Sequence, residues 1–152
     1  GSRDAIQHWE AARQRIGHVT IRGRSDWTQH FCVSAALVVL SDTTTSDLVG
    51  VLKEEIDSGG GSGFSFSDLL ADRAGTMFAK AATRDERAAR TLQERFAGGV
   101  TIDDLFPPAA DLPEGIQDAE LQSRFDGVDG RRYRQLKQEI ERRLRECYLL
   151  QP

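Results

Sequence analysis

Apolar positions along this chain recur at three- and four-residue intervals, the spacing of one face of a helix, and strict alternation is almost absent. From Asp4 to about Ile16 a short amphipathic helix is expected, with Ile6, Trp9 and Ile16 set among charges. Gly17 ends it, and His18 to Ile21 alternates weakly enough to be extended or a short strand. Ser25 and Asp26 can cap a second helix over about Trp27 to Leu40. That helix is apolar nearly all round, as expected at the centre of a bundle, and its β-branched residues leave a buried strand as the alternative.

After the polar turn Ser41 to Ser46, a third helix is expected over about Asp47 to Ile56, with Leu48, Val51, Leu52 and Ile56 on one stripe. The string from Asp57 to Gly63 cannot continue it, because so many glycines make a helix entropically unfavourable. Ser65 or Ser67 can cap a fourth helix, about Phe66 to Ala82, with Phe66, Leu69, Leu70, Met77 and Phe78 facing the core. A charged helix over about Arg84 to Phe96 closes at Gly98-Gly99, and Pro107, Pro108 and Pro113 make 101–113 a loop. The last strong element is a helix over about Gly130 to Leu149. Its stripe of Tyr133, Leu136, Ile140, Leu144 and Tyr148 lies opposite a Lys/Arg/Glu face.

The fold class expected is therefore all-α: a small bundle with a Gly-rich loop between two core helices and a long amphipathic C-terminal helix. A single domain of 152 residues accommodates all of it, with a motif-bearing core over 26–82 and a C-terminal helical extension over 114–150. No internal repeat is present. The longest apolar run, Phe31 to Leu40, is too short to span a bilayer. Gly1-Ser2 has the character of a cloning remnant and Arg3 is not a start methionine, so an upstream segment is expected.

Charge changes the picture in one respect. Twenty Lys and Arg against 24 Asp and Glu leave a net charge of −4, which argues against an electrostatic nucleic-acid binder. The C-terminal arginines alternate with glutamates and read as a solvated helix face. Cys32, inside an apolar run, is expected to be a small buried hydrophobe, and Cys147 lies near the chain end. No CxxC or Cys/His spacing indicates zinc, and no GxxxxGK[ST] phosphate loop is present, so the sequence assigns neither metal nor cofactor. It also leaves a protein partner and the oligomeric state open.

Candidate chemistry gathers between His30 and Asp72. Asp68 and Asp72 stand four residues apart and share a helix face, one that is not the Phe66/Leu70/Met77 stripe. Two such carboxylates repel unless a cation or proton lies between them. Glu55 falls in line with Leu48, Leu52 and Ile56, toward the core, and Glu54 in line with Asp47 and Asp57, toward the edge. An inward glutamate needs a partner, for which His30, Lys53 or Arg73 is available. Glu54, Glu55 and Asp57 are the catalytic candidates; His30, Ser62, Ser65, Asp68, Asp72 and Arg73 are the binding candidates. Each also has a plain structural role. His30 can be a helix-terminal hydrogen-bonding residue, Asp57 a helix end, Asp68 a first-turn dipole partner, and the glycines a permissive connector.

The string Asp26-Trp27-Thr28-Gln29-His30-Phe31 is followed by Ser34-Ala35-Ala36, Lys53-Glu54-Glu55-Ile56-Asp57, Gly61-Ser62-Gly63-Phe64-Ser65, Asp68 and Ala71-Asp72-Arg73-Ala74-Gly75. Together these resemble the YfiM-like family of predicted bacterial lipoproteins over about residues 26–75, half the chain at most. Trp27 stands where that family usually carries lysine, and the charged C-terminal half has no counterpart in the pattern. The resemblance implies bacterial origin and an envelope location, without a reaction. It aligns Glu54 with the family's recurring glutamate, whereas periodicity turns Glu55 inward. Two functions follow as expectations. One is a non-catalytic bacterial accessory or interaction domain with a structural Asp/Glu/His cluster. The other is a hydrolase, metal-assisted or glycan-directed, with Glu54 or Glu55 as general base and His30, Asp57, Asp68 and Asp72 as ligands or orienters.

Overall fold

The computed structural model describes residue 14, residues 18–41 and residues 63–152. The expected helices over 4–16, apart from Gln14, and over 47–56 lie outside the described residues. So do Lys53, Glu54, Glu55, Asp57, Ser62 and the glycine string as far as Ser62.

Among the described residues the chain forms five α-helices and no strands, a small all-α bundle. They are α1 (Ser25–Ser41), α2 (Phe66–Thr83), α3 (Glu86–Ala97), α4 (Asp118–Phe125) and α5 (Arg131–Arg145), with 3₁₀ turns at Ile102–Asp104 and Tyr148–Leu150. None of these helices is long and apolar enough to cross a membrane.

The pairing of α1 with α2 is the centre of the fold, and the sequence of α2 permits it. Ser67, Ala71, Ala74 and Gly75 repeat at helical spacing and are all buried, so one face of α2 carries almost no side-chain bulk. Trp27, Phe31 and Ser34 of α1 fill the space this leaves. On the adjacent stripe of α2, Phe66 and Leu70 are fully buried. Phe66 packs against Phe64, Phe125 and Tyr133 with ring centroids 4.9, 5.4 and 5.3 Å apart. Burying a phenylalanine stabilises by about 2 kcal/mol, so this cluster fastens α4 and α5 to the central pair. Ile140 and Leu144 complete the inward face of α5.

Several expectations need correction. Asp118–Phe125 is a helix that the hydrophobic pattern did not reveal as a separate element, since only Leu121 and Phe125 of its eight residues are buried. The last helix stops at Arg145, and Tyr148 sits in a separate 3₁₀ turn, exposed rather than on the stripe. Cys147 is the fully buried cysteine, while Cys32 is only partly covered. His18 to Ile21 is not a strand: Ile21 exchanges both backbone hydrogen bonds with Arg24, closing a tight turn through Arg22 and Gly23. The proline-rich loop is well packed, with Phe106, Ala109 and Leu112 buried and Phe106 stacked on Trp27 at 5.5 Å.

Candidate functional site

Phe64 and Ile116 exchange backbone hydrogen bonds of 2.8 and 2.9 Å, which ties the chain entering α2 to the segment before α4. Gly63 makes this possible. Its φ is +84°, and a Cβ there would stand 2.9 Å from the backbone of Gly115 and Ile116, so a side chain is excluded on both counts. Ser65 then caps α2, its hydroxyl accepting from the Asp68 backbone N–H at 3.1 Å. Of the two serines the sequence offered, Ser65 is the cap, and its hydroxyl also hydrogen-bonds Ser67 Oγ at 3.1 Å.

Ser67 is fully buried and gathers a polar network that sequence reasoning missed. The Trp27 indole N–H donates to Ser67 Oγ at 3.0 Å, and the Ser67 hydroxyl donates to Glu114. Arg24 donates to Asp26 at 2.9 Å and to Glu114 at 3.1 Å, with its guanidinium 4.5 Å from the centre of the Trp27 ring. The Arg24 hydrogen bonds hold the carboxyls of Asp26 and Glu114 below the usual carboxylate range. Nothing in the pattern distinguishes Glu114, a loop acid after Pro113, because its role depends on a contact across some forty to ninety positions of chain.

One turn further along, the structure brings three of the nine candidates together. His30 Nδ1 hydrogen-bonds Asp72 Oδ1 at 3.0 Å, and His30 Nε2 faces Asp68 Oδ2 at 3.5 Å. Ser34 donates to the same Asp72 oxygen at 2.8 Å. The four-residue spacing on α2 thus places successive carboxylates on either side of one imidazole projecting from α1. All three side chains are mostly buried, with relative exposures of 22% for His30, 25% for Asp68 and 30% for Asp72.

Electrostatics follow from that placement. The hydrogen bond to Asp72, helped by the charges of Asp72 and Asp68, raises the His30 pKa against the opposing effect of burial. Asp68 also moves up, because burial outweighs the attraction of His30. Its Oδ1 is buried with no hydrogen-bond partner among the described residues. When protonated, His30 offsets one of the two negative charges that would otherwise repel.

Arg73 does not join this group. It pairs with Glu141 of α5 at 2.6 Å, linking α2 to the C-terminal helix, while the glutamates it was expected to partner lie outside the described residues. Among the described residues no group of three or more His, Cys, Asp or Glu side chains is arranged to hold a metal ion. Three clefts formed by described residues lie elsewhere. The one of about 450 Å³ is bounded by α3 and the chain end around Arg87, Leu92 and Pro152. Others of about 370 and 330 Å³ lie along α5.

No family model, curated protein or solved structure matches the chain. Function therefore rests on the geometry itself.

Proposed function

We propose that this chain is a non-catalytic accessory or interaction domain, with the origin and envelope association that the YfiM-like resemblance implies, and that its Asp/His cluster is architectural. One observation carries the reading: both ring nitrogens of His30 face carboxylates of α2, Nδ1 toward Asp72 and Nε2 toward Asp68. A general base needs a free nitrogen lone pair, and a nitrogen ligand must give that lone pair to a metal. With Nδ1 hydrogen-bonded to Asp72 and Nε2 turned to Asp68, neither nitrogen of His30 is left free for that work. What it does supply is a charge-assisted link across the α1–α2 interface, next to Ser34 and directly above the fully buried Ser67 layer.

A second reading is favoured by one specific feature. Asp68 pairs an unpartnered, buried Oδ1 with an upward-shifted pKa, which suits a carboxyl that gives up a proton during hydrolysis. Its required general base, Glu54 or Glu55, lies outside the described residues.

Melting curves with and without Mg²⁺, Ca²⁺, Mn²⁺ or Zn²⁺, on wild type and His30→Gln, separate the two. An architectural cluster gives a lower Tm for His30→Gln and the same Tm with or without each ion. A divalent ion that raises Tm in the wild type but not in His30→Gln overturns the architectural reading, because only binding to the folded state stabilises by mass action. Turnover of ester, phosphoester or glycan substrates that disappears in Asp68→Asn overturns it as well.

A further inference from the structure

Helix α5 alternates arginine with glutamate, yet the folded domain sorts these charges to different sides. Glu139 accepts from Arg142 and Arg143 at 2.8 Å each, Glu146 from Arg142 at 2.7 Å, and Arg143 also grips Asp111 with two bonds of 2.7 and 2.6 Å. Glu141 is taken by Arg73. Arg131, Arg134, Lys137 and Arg145 form no ion pair among the described residues, and all four are exposed. At 100° per residue these four fall within an arc of about 120° on one flank of the helix. Arg134, Lys137 and Arg145 border a shallow groove of about 370 Å³ along that flank.

The local balance is opposite to that of the whole protein. Arg73, Arg131, Arg134, Lys137 and Arg145 stand against Asp129 and Glu141 on this flank, while the chain carries a net −4. Uncompensated cations on an otherwise acidic molecule produce a local positive field that selects an acidic counterpart.

We propose that this outer flank of α5 docks an acidic helical segment of a partner protein. Spacing favours that occupant. Arg131, Arg134 and Lys137 recur every three residues, a rise of about 4.5 Å each, which runs alongside carboxylates placed at i, i+3 and i+7 on one face of a facing helix. The flank has no exposed aromatic ring on which a base could stack, since Tyr133 is buried and Lys137 lies over its face at 5.7 Å. It also has no apolar side chain to enter a membrane. Contacts limited to exposed ion pairs make the complex weak and strongly salt-dependent.

This proposal rests on the interaction-domain reading and deepens it by naming the partner's chemistry. The test is fluorescence anisotropy with a labelled helical peptide carrying glutamates at i, i+3 and i+7, using its glutamine counterpart as control. Saturable binding at low salt that vanishes at high salt and with the glutamine peptide is the expected result. Arg134→Glu/Arg145→Glu should weaken binding by about tenfold or more. Lys80→Glu/Arg87→Glu, which changes net charge equally on other helices, should leave binding unaltered. Equal weakening by both double variants overturns the proposal, as does tighter binding to single-stranded RNA or to phosphatidylglycerol vesicles than to the acidic peptide. Absence of peptide binding, with melting curves indifferent to divalent ions, removes this surface alone. A His30-dependent metal response removes the reading beneath it.

Discussion

Replacing Gly75 by alanine tests the close approach of α2 to the backbone of α1. A Cβ at this position overlaps the carbonyl oxygen of Phe31 and stands 2.8 Å from its carbonyl carbon and 3.0 Å from its Cα. All three atoms are backbone, so no side-chain rotation relieves the overlap, and α1 and α2 must separate. Restoring ordinary contact needs a displacement of roughly 1 Å. A gap of that size forfeits a quarter to a half of the dispersion energy of each contact it opens. Overpacking of a dense core costs about 1–3 kcal/mol, and here the cost belongs near the upper end because the obstacle is rigid. Removing glycine from a helix interior returns about 1 kcal/mol. The net expectation is a destabilisation of about 2 kcal/mol, or roughly 4–8 °C in Tm for a domain of this size. Thermal and urea unfolding followed by circular dichroism measure it. Gly98→Ala is the matched control, since a Cβ there lies 3.5 Å from its nearest neighbour, and its Tm should stay level or rise. An undiminished Tm for Gly75→Ala would mean that the α1–α2 contact is looser than the packing requires, and the reasoning would fail.

Stability should also depend on pH through the cluster. His30 and Asp68 both bind protons more tightly folded than unfolded, so each contributes stability at low pH that is lost as pH rises through its folded value. Urea midpoints should therefore fall as pH rises from the ordinary histidine value of 6.5, and this fall should disappear in His30→Gln. Acidification below the carboxylate range acts in the opposite direction, because Asp26, Glu114 and Asp111 have lowered pKa values and lose their arginine partners on protonation. Ile140→Asp places an unpaired charge at a site 1% exposed and should cost several kcal/mol, read as loss of cooperative unfolding or a large fall in the denaturant midpoint. Trp27→Phe keeps the ring against Phe106 but removes the donor to Ser67, with an expected loss of about 1 kcal/mol by urea denaturation.

Period and capping chemistry made much of this fold legible. The helices at Ser25–Ser41, Phe66–Thr83 and Glu86–Ala97 follow from apolar spacing, from Ser65 as a cap and from Gly98-Gly99 as a stop, while the Asp85 cap emerged only in the structure. The Asp68/Asp72 pairing was equally legible, because four residues on a helix always share a face and their off-stripe position already separated them from the Phe66/Leu70 side. Glu54, Glu55, Asp57 and Ser62, which the same reasoning singled out, lie outside the described residues.

Tertiary structure alone decided which partners those faces meet. Helical period says that Arg73 and Asp72 point in different directions, but not that one finds Glu141 and the other His30. Glu114 carries no local signal, and its role arises only when the loop after Pro113 folds across Ser67 and Arg24. The same holds for the charges of α5, whose alternation reads as a uniformly solvated face until Arg73 and Asp111 approach from other segments and leave one flank basic. A residue's own neighbours set its conformation and its face. The energy of a charge or a hydrogen bond depends on distance to groups remote in sequence, and that distance exists only in the folded chain.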